Sequence, residues 1–480
     1  MIWEAARGLL AVIFMALTGY CLVALVFRCS LGLLSRAEIV GYSFALGMTF
    51  VGAAMIVLSA CHVPLSVPGI LAAGCLPVAL LVGFRARRCR SAARDATNGW
   101  RGARFASHAR IPRTFLLLAL AAALLFVFLG SVSEPMTEID TVAAWGFNAK
   151  VYYCERTVFP AFLTHGLSGP LASHWRPLLP LAETWTYLSM GTWNDRIVKV
   201  LFFLTYAALL GILYGTLRRF LSPTLSLALP LVAATAPAIV VPFPSGSVAS
   251  AMADVPFALF VAATVCLVTC WMAKQDRRYL ILASLFAAAT VWVKREGLPF
   301  AWTCVAVLWI LEMLRRPRAV RSNVVSPLLF TLAPAISTVL VVLYSSRFPG
   351  PLAGELIQID QAISTLSASR FVQLAVAIIF HAGDPTKWGL LWLLLALLIV
   401  LRPGHVRQRI IAFPLLVIVG HVAIALVYMA VTHAYSISHY VNLDMRRVLI
   451  QLAPAATVAV ALLATADDSG SGTQGVHRTG

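Results

Sequence analysis

Apolar runs of about 20 residues alternate with short polar joints along most of the chain. A helix of that length spans the hydrocarbon core of a bilayer, and a lipid interior leaves no other partner for the backbone polar groups. The pattern therefore predicts an all-α, polytopic membrane protein with about thirteen transmembrane helices. The expected spans lie near residues 8–27, 38–60, 67–84, 114–131, 196–217, 224–243, 255–273, 279–293, 297–313, 326–345, 387–402, 409–431 and 447–465.

Three segments depart from this pattern. Residues 132–195 are too polar and too rich in Trp and His for an ordinary span, so we expect a long loop there. Residues 370–382 are apolar but end at a Gly-Asp-Pro break, which favours an interfacial or re-entrant helix. The Gly/Ser-rich residues 466–480 predict a disordered tail. We divide the chain into N-terminal helices with a basic loop (1–113), a core that includes the long loop (114–313), C-terminal helices (314–465) and the tail (466–480).

Composition and charge agree with a membrane protein. Of the 480 residues, 60% are hydrophobic and 12% are charged, whereas soluble domains are about one-quarter charged. The net charge of +18 comes largely from arginines in the joints, with nine between positions 85 and 113. Short basic loops stay on the cytoplasmic side, so this segment should lie inside and residues 132–195 outside. Because topology explains the positive charge, we expect membrane lipids as partners and no nucleic acid. The nine cysteines include no Cys-x-x-Cys pair and give no metal signal.

In this topology, charged and titratable side chains gather in the outer segments. Both signs of charge occur there, which indicates a site that handles an anionic group and uses an acid or base. The candidate residues are Glu138, Asp140, Lys150, His174, Arg176, Asp254, Lys294, Glu296, His439 and Arg447.

The run from Lys294 to Glu296 follows a predicted span of only fifteen residues, about 22 Å long. Lys294 and Glu296 should therefore lie at or just below the outer headgroup level, where charges usually pair or bind a ligand. One interpretation is a phosphate clamp held in place by a carboxylate. The other is a snorkelling Lys and Arg with a local acidic partner.

Glu138 and Asp140 follow the exit of a span. One carboxylate could act as a general base while the other steers it or binds a metal. The alternative is a pair of interfacial acids beside an anchoring tryptophan, Trp145. Asp254 could belong to the same site or simply cap the next helix. His174 and Arg176 could add cations near a phosphate.

Several of these residues stand in motifs of one family. These are Asp140 with Trp145, Asn148 and Lys150, then His174 with Pro177 to Pro180, then Ala253-Asp254-Val255-Pro256, Lys294-Arg295-Glu296-Gly297-Leu298 and, more weakly, His439 with Arg447 to Pro454. Over about residues 134–300 the chain resembles the GT-C superfamily of integral-membrane glycosyltransferases. The likeness is closest to the bacterial branch related to protein mannosyltransferases and lipid A aminoarabinose transferases.

The resemblance implies a helical bundle in a bacterial-type inner membrane with its active site facing outside. It implies a polyprenyl-phosphate sugar as donor and a glycan, lipid or protein as acceptor. Asp140 takes the position of the base, and Lys294 and Arg447 take those of phosphate-binding residues. The chain departs from the pattern in the separation of Glu138 from Asp140, whereas many relatives have adjacent acids, in Arg176 for an aromatic, and in three additional N-terminal spans. No cofactor is required, and dependence on a divalent cation stays open.

Two other classes of protein are compatible with the sequence. A flippase or transporter with an outer headgroup vestibule would show internal repeats and broken helices near mid-membrane. A non-catalytic assembly subunit would not need clustered acids. Transfer from a prenyl phosphate to a hydroxyl needs a base and cations at headgroup depth, and Asp140 and Lys294 are expected at that level.

Overall fold

The computed structural model describes most of the chain, and the fold is all-α within the described residues. The described ranges are 2–27, 30–88, 113–164, 176–241, 246–314, 320–348, 367–431 and 436–466. The basic segment between residues 89 and 112 and the expected tail beyond residue 466 lie outside them.

Within the described residues, sixteen helices of at least ten residues carry the fold, and short helical turns connect some of them. The first eight are α1 (Ile2–Val26), α2 (Arg36–Ala60), α3 (Val67–Arg88), α4 (Arg113–Ser133), α5 (Gly146–Glu155), α6 (Leu178–Met190), α7 (Val200–Leu217) and α8 (Pro223–Ala234). The others are α9 (Asp254–Lys274), α10 (Arg277–Val293), α11 (Gly297–Met313), α12 (Val320–Ser345), α13 (Ala368–Ala382), α14 (Leu391–Leu401), α15 (Arg409–Val431) and α16 (Arg446–Thr465).

In the described ranges, eight helical segments are long and apolar enough to cross a membrane, which confirms an integral membrane protein with several spans. They are Ile2–Val26, Arg36–Ala60, Arg113–Ser133, Asp195–Leu217, Asp254–Lys274, Val324–Ser345, Arg409–Val431 and Ile437–Thr465. Shorter apolar helices accompany them, among them α8, α11, α13 and α14.

The expected span 224–243 is interrupted. Helix α8 ends at Ala234, and a separate turn, Pro237–Val240, follows. Pro237 has no N–H to continue the helical hydrogen bonds, and its ring disfavours a helical conformation at Ala236, whose φ of −56° and ψ of 125° are not helical. The residues on both sides of this break are apolar, so the hydropathy pattern alone predicted one continuous span.

The expected long loop at 132–195 is largely helical where the structure describes it, because α5 and α6 lie within it. All but one residue of α6 are buried, and the indole of Trp185 donates to the carbonyl of Ala11. The hydroxyls of Thr184 and Thr186 return to carbonyls of their own helix. Because these polar groups are satisfied locally, a segment that reads as polar packs as a core helix.

Helix α9 lies at the centre of the bundle. It packs against α7, α10, α15 and α16, and 94% of the residues in its most apolar stretch are buried. A helix that is hydrophobic all round has to be enclosed by its neighbours. Its two ends therefore define two ends of the bundle.

At the end of the bundle where α9 finishes, buried Glu38 pairs with Arg219, whose guanidinium also donates to the hydroxyl of Tyr279. That hydroxyl donates in turn to the carbonyl of Leu33. We call this the basic end, since Lys274 and Arg277 also lie there. The opposite end, where α9 and α16 begin and α10 finishes, is the site end.

Candidate functional site

Five charged side chains from four parts of the chain form a continuous set of ion pairs at the site end. This ion-pair cluster consists of Asp140, Asp254, Lys294, Glu296 and Arg447. Residues up to 307 positions apart in sequence meet here. The sequence predicted all five as site residues, but their pairing depends on the packing of α9, α10 and α16.

Asp254 is the centre of the cluster and is completely buried. Its Oδ1 accepts from Lys294 Nζ at 2.7 Å and from Gln451 Nε2 at 2.8 Å. Its Oδ2 accepts from Arg447 Nε at 3.0 Å. The expectation that Asp254 could cap α9 is wrong, because the helix begins at Asp254 itself and no side chain caps it. Its carboxylate instead holds both cations of the cluster.

Lys294 directly follows the last residue of α10, and only 4% of its side chain is exposed. Its ammonium contacts Glu296 Oε1 at 2.8 Å in addition to Asp254. A tight turn produces this geometry, since the Gly297 N–H donates to the Lys294 carbonyl as α11 begins. A Cβ at Gly297 would collide with the carbonyl oxygen of Thr290, so the turn requires glycine.

Arg447 joins the buried part of the cluster to its accessible part. Its Nη1 donates to Asp140 Oδ2 at 3.0 Å, and its side chain is 13% exposed. Asp140 is 31% exposed and Glu296 is 37% exposed, whereas Asp254 is enclosed. The cluster therefore has a buried carboxylate behind its two cations and two accessible carboxylates in front of them.

Wide π-helical turns adjoin the cluster on two sides. One covers Thr141–Trp145, directly after Asp140, and the other covers Tyr440–Met445, directly before Arg446. π-helical turns are rare in proteins, and many of those that do occur lie at functional sites. The hydroxyl of Thr141 donates to the carbonyl of Ser250, which fixes the segment that carries Asp140 beside α9.

Two acids at the cluster have displaced pKa values. Burial and the neighbouring Asp140 raise the pKa of Glu138, and this effect exceeds the opposing influence of Arg446 and Arg447. Burial would also raise the pKa of Glu296, but the Lys294 ammonium bonded to it outweighs burial and lowers that pKa. Glu138 is thus the acid that holds a proton more readily, and Glu296 is the one kept ionised.

The remaining predicted residues have other contacts. Lys150 pairs with Asp195 at 2.8 Å, and Arg176 donates to the hydroxyl of Ser345 at 3.0 Å. His439 lies in the turn before the second π-helical turn, in ring contact with Tyr440. His174 lies outside the described residues.

Two polar residues beside the cluster, Gln451 and His421, were not predicted from the sequence as site residues. Gln451 donates to Asp254 and is fully buried, and it lies one helical turn after Arg447 on the same face of α16. The four-residue spacing between Arg447 and Gln451 could have identified Gln451 as a neighbour of the site. His421 is buried between the rings of Phe257 and Phe300, and a single polar residue within an apolar span gave no indication of its neighbours.

The cluster supplies cations, an accessible carboxylate and a buried carboxylate that orients the cations. Within the described ranges, no three His, Cys, Asp or Glu side chains are arranged to hold a metal ion. Comparison with known proteins gives no family: no family model, curated protein or solved structure matches the chain.

Proposed function

We propose that the protein is a membrane glycosyltransferase of the GT-C type that moves a sugar from a polyprenyl phosphate to an acceptor hydroxyl. The observation that carries the proposal is the arrangement around Asp254. A buried carboxylate holds Lys294 and Arg447 side by side, and the accessible Asp140 lies next to Arg447. Two oriented cations with an adjacent base are what the transfer of a phosphate-linked sugar requires.

Both cations retain hydrogen-bond capacity for a phosphate. An ammonium has three N–H donors and a guanidinium has five. Lys294 uses two of its three N–H donors, one on Asp254 and one on Glu296. Arg447 also uses two, one on Asp254 and one on Asp140, so each cation keeps at least one N–H donor. In our proposal the donor phosphate binds these remaining N–H groups on the accessible side of the pair.

The reaction then follows from the geometry. The acceptor oxygen attacks the anomeric carbon as the bond from that carbon to the phosphate oxygen breaks. The hydroxyl proton passes to Asp140, whose Oδ2 is occupied by Arg447, so Oδ1 is the oxygen in our proposal that receives it. Lys294 and Arg447 stabilise the charge that develops on the departing prenyl phosphate.

The location of the cluster favours this proposal over the flippase alternative. The ion pairs lie where α9 and α16 begin and α10 ends, not in the middle of those helices. A prenyl phosphate carries its charge at the headgroup level, so a transferase needs its cations at helix ends. By the distribution of arginines, we assign the site end to the extracytoplasmic face of a bacterial-type inner membrane.

The test is release of prenyl phosphate from synthetic polyprenyl-phosphate mannose, glucose and arabinose by the purified protein in lipid. Lys294→Ala should lose donor affinity and slow release by on the order of 10²-fold, since it removes a charge-assisted contact in a water-poor site. Arg295→Ala, which changes the exposed neighbour, is the matched control and should stay near the parent. Equal release by Lys294→Ala and the parent would refute the phosphate clamp.

A further inference from the structure

In the part of the chain that the structure describes, four buried N–H groups without an acceptor lie close to the ion-pair cluster at the site end. They belong to His381, Trp388, Trp392 and Arg446, which we call the donor cluster. Each of these residues is at most 9% exposed. Native proteins pair nearly all buried polar groups, so several unpaired donors in one place indicate a missing partner.

The four residues come from adjoining elements. His381 is on α13, Trp388 ends the short turn Pro385–Trp388, and Trp392 is on the first turn of α14. Ring centroids are 6.2 Å apart both between His381 and Trp388 and between Trp388 and Trp392. Arg446 Nη2 donates to the carbonyl of Ala238 at 3.0 Å.

Ala238 lies in the turn Pro237–Val240, which packs against Pro385–Trp388. The guanidinium is thereby held near the turn that ends at Trp388. Its Nε has no acceptor.

The protonation of His381 follows from its neighbour. Lys387 Nζ lies 3.1 Å from His381 Nδ1, and an ammonium can only donate, so Nδ1 accepts and Nε2 carries the hydrogen. The acid in this region, Asp384, already accepts from Thr386 and Lys387. All the unpaired atoms of the donor cluster are therefore donors.

A ligand that matches this set must offer several acceptor oxygens. The positive charge of Arg446 favours an anion, and four N–H groups suit phosphate, which has more acceptor oxygens than a carboxylate. Both indole N–H groups and the imidazole N–H are fixed by packed rings, so they discriminate by position as well as by charge.

We propose that the donor cluster binds a phosphate group of the acceptor substrate, an inference that rests on the proposed glycosyl transfer. Arg446 and Arg447 are successive residues of α16 and point about 100° apart on the helix. Arg447 serves the ion-pair cluster while Arg446 serves the donor cluster. The two sites therefore lie on neighbouring faces of α16. An anionic amphiphile could rest its phosphate on the donor cluster and present a hydroxyl to Asp140.

The test compares ligand-induced thermal stabilisation of the full-length protein in detergent. The probes are dioctanoyl phosphatidic acid, inorganic phosphate and uncharged dioctanoylglycerol. The variant is Trp388→Phe with Trp392→Phe, which removes two N–H groups and keeps two aromatic rings. Trp193→Phe is the control, because Trp193 is 52% exposed and contacts Tyr153 away from the donor cluster. Trp392→Phe alone provides a milder variant.

Phosphatidic acid should stabilise the parent and Trp193→Phe, with apparent affinity about tenfold or more weaker in the double variant. Without ligand, the double variant should unfold at a lower temperature than the parent, because Phe is smaller than the buried Trp that it replaces, so each ligand-induced shift is measured from the same protein without ligand. A response to inorganic phosphate as well would identify the phosphate itself as the recognised group, whereas a response to the lipid alone would assign it to a lipid headgroup. Equal stabilisation of parent and double variant, or an equal response to dioctanoylglycerol, would overturn the proposal.

The binding result is independent of catalysis. Asp140→Asn should keep the response to phosphatidic acid in full while it loses glycosyl transfer. If no transfer is found but the parent and double variant still differ, the donor cluster stands as a phosphate site and the proposed reaction fails. If transfer is found and the two proteins bind alike, the reaction stands and the phosphate site fails.

Discussion

Asp254 shows how one buried carboxylate can organise a site. It accepts from three side chains, two of them cations, and no water reaches it. A buried charge is tolerated only when paired and hydrogen-bonded, so the three donors and the carboxylate depend on one another. The accessible acids Asp140 and Glu296 are each paired with one cation and are partly exposed to solvent.

Asp254→Asn should therefore destabilise the protein strongly. The substitution keeps the shape but leaves Lys294 and Arg447 without their shared counter-charge, and loss of one member of a buried ion pair costs about 3–5 kcal/mol. The measurement is the thermal midpoint of the purified protein. Asp276→Asn removes the part-exposed partner of Arg278 at the basic end and should cost about 1 kcal/mol or less. Similar losses in the two variants would mean that Asp254 has no special role.

Glu296 should give stability a dependence on acid pH. Its pKa in the folded protein is lowered, because the Lys294 ammonium outweighs burial. The ionised Glu296 carboxylate therefore stabilises the folded protein fully above the ordinary glutamate pKa of about 4.3. This contribution to the free energy of unfolding is lost as the pH falls through the lower pKa that Glu296 has in the folded protein. Thermal midpoints between pH 6 and 3 should fall less steeply in Glu296→Gln than in the parent. If the thermal midpoints of Glu296→Gln and the parent fell equally with pH, the pair of Lys294 and Glu296 would contribute nothing to stability.

At the level of elements, a four-residue turn brings the lysine and the glutamate of the cluster together. The turn from Lys294 to Gly297 joins two helices so closely that α11 begins four residues after α10 ends. The hydroxyl of Thr290 donates to the Gly297 carbonyl at 3.1 Å and ties the two helices together.

Gly297→Ala should disturb this turn. The added methyl would meet backbone atoms of Thr290, which cannot rotate away, so α10 and α11 must separate. We expect a lower thermal midpoint together with weaker donor binding, as Lys294 moves from Asp254. Gly404→Ala is the control, since a methyl there meets nothing within 4 Å. A Gly297→Ala protein as stable as the control would show that the turn adapts.

Helix positions were the part of the fold most open to prediction. Apolar runs of the right length placed α2, α9 and α15 within a few residues of their observed ends, because burial in lipid imposes the same rule along the whole chain. The incorrect predictions of helix position have local causes. A proline divided the span near 237, and self-satisfied hydroxyls disguised α6 as a loop.

The site was predictable in its members but not in its connections. The charges at 140, 254, 294, 296 and 447 lie in the predicted outer segments, where both signs of charge gather, and this drew attention to them. Which carboxylate pairs with which cation depends on helix packing, so the central role of Asp254 could not be read from spacing. Trp388 and Trp392 gave no warning either, because tryptophans near helix ends are common in membrane proteins.

At the scale of the whole molecule, the proposed function depends on the site end facing outside. Single-cysteine variants of the native thiols test this with a membrane-impermeant maleimide on intact cells. Cys154, which is exposed near the site end, should react from outside. Cys89, in the basic segment, should react only after the membrane is opened. Labelling of Cys89 in intact cells would reverse the orientation and remove the basis for an extracytoplasmic site.

The most direct test of the account is single-turnover transfer by Asp140→Asn with the donor sugar that the parent uses. General-base catalysis is worth roughly 10²–10⁴-fold, so release of prenyl phosphate should slow by that factor while donor binding stays close to the parent's. Glu138→Gln, which alters the acid two residues earlier, should keep most of the rate. Release at the parent's rate by Asp140→Asn would contradict the account, because the ion-pair cluster would then lack its base.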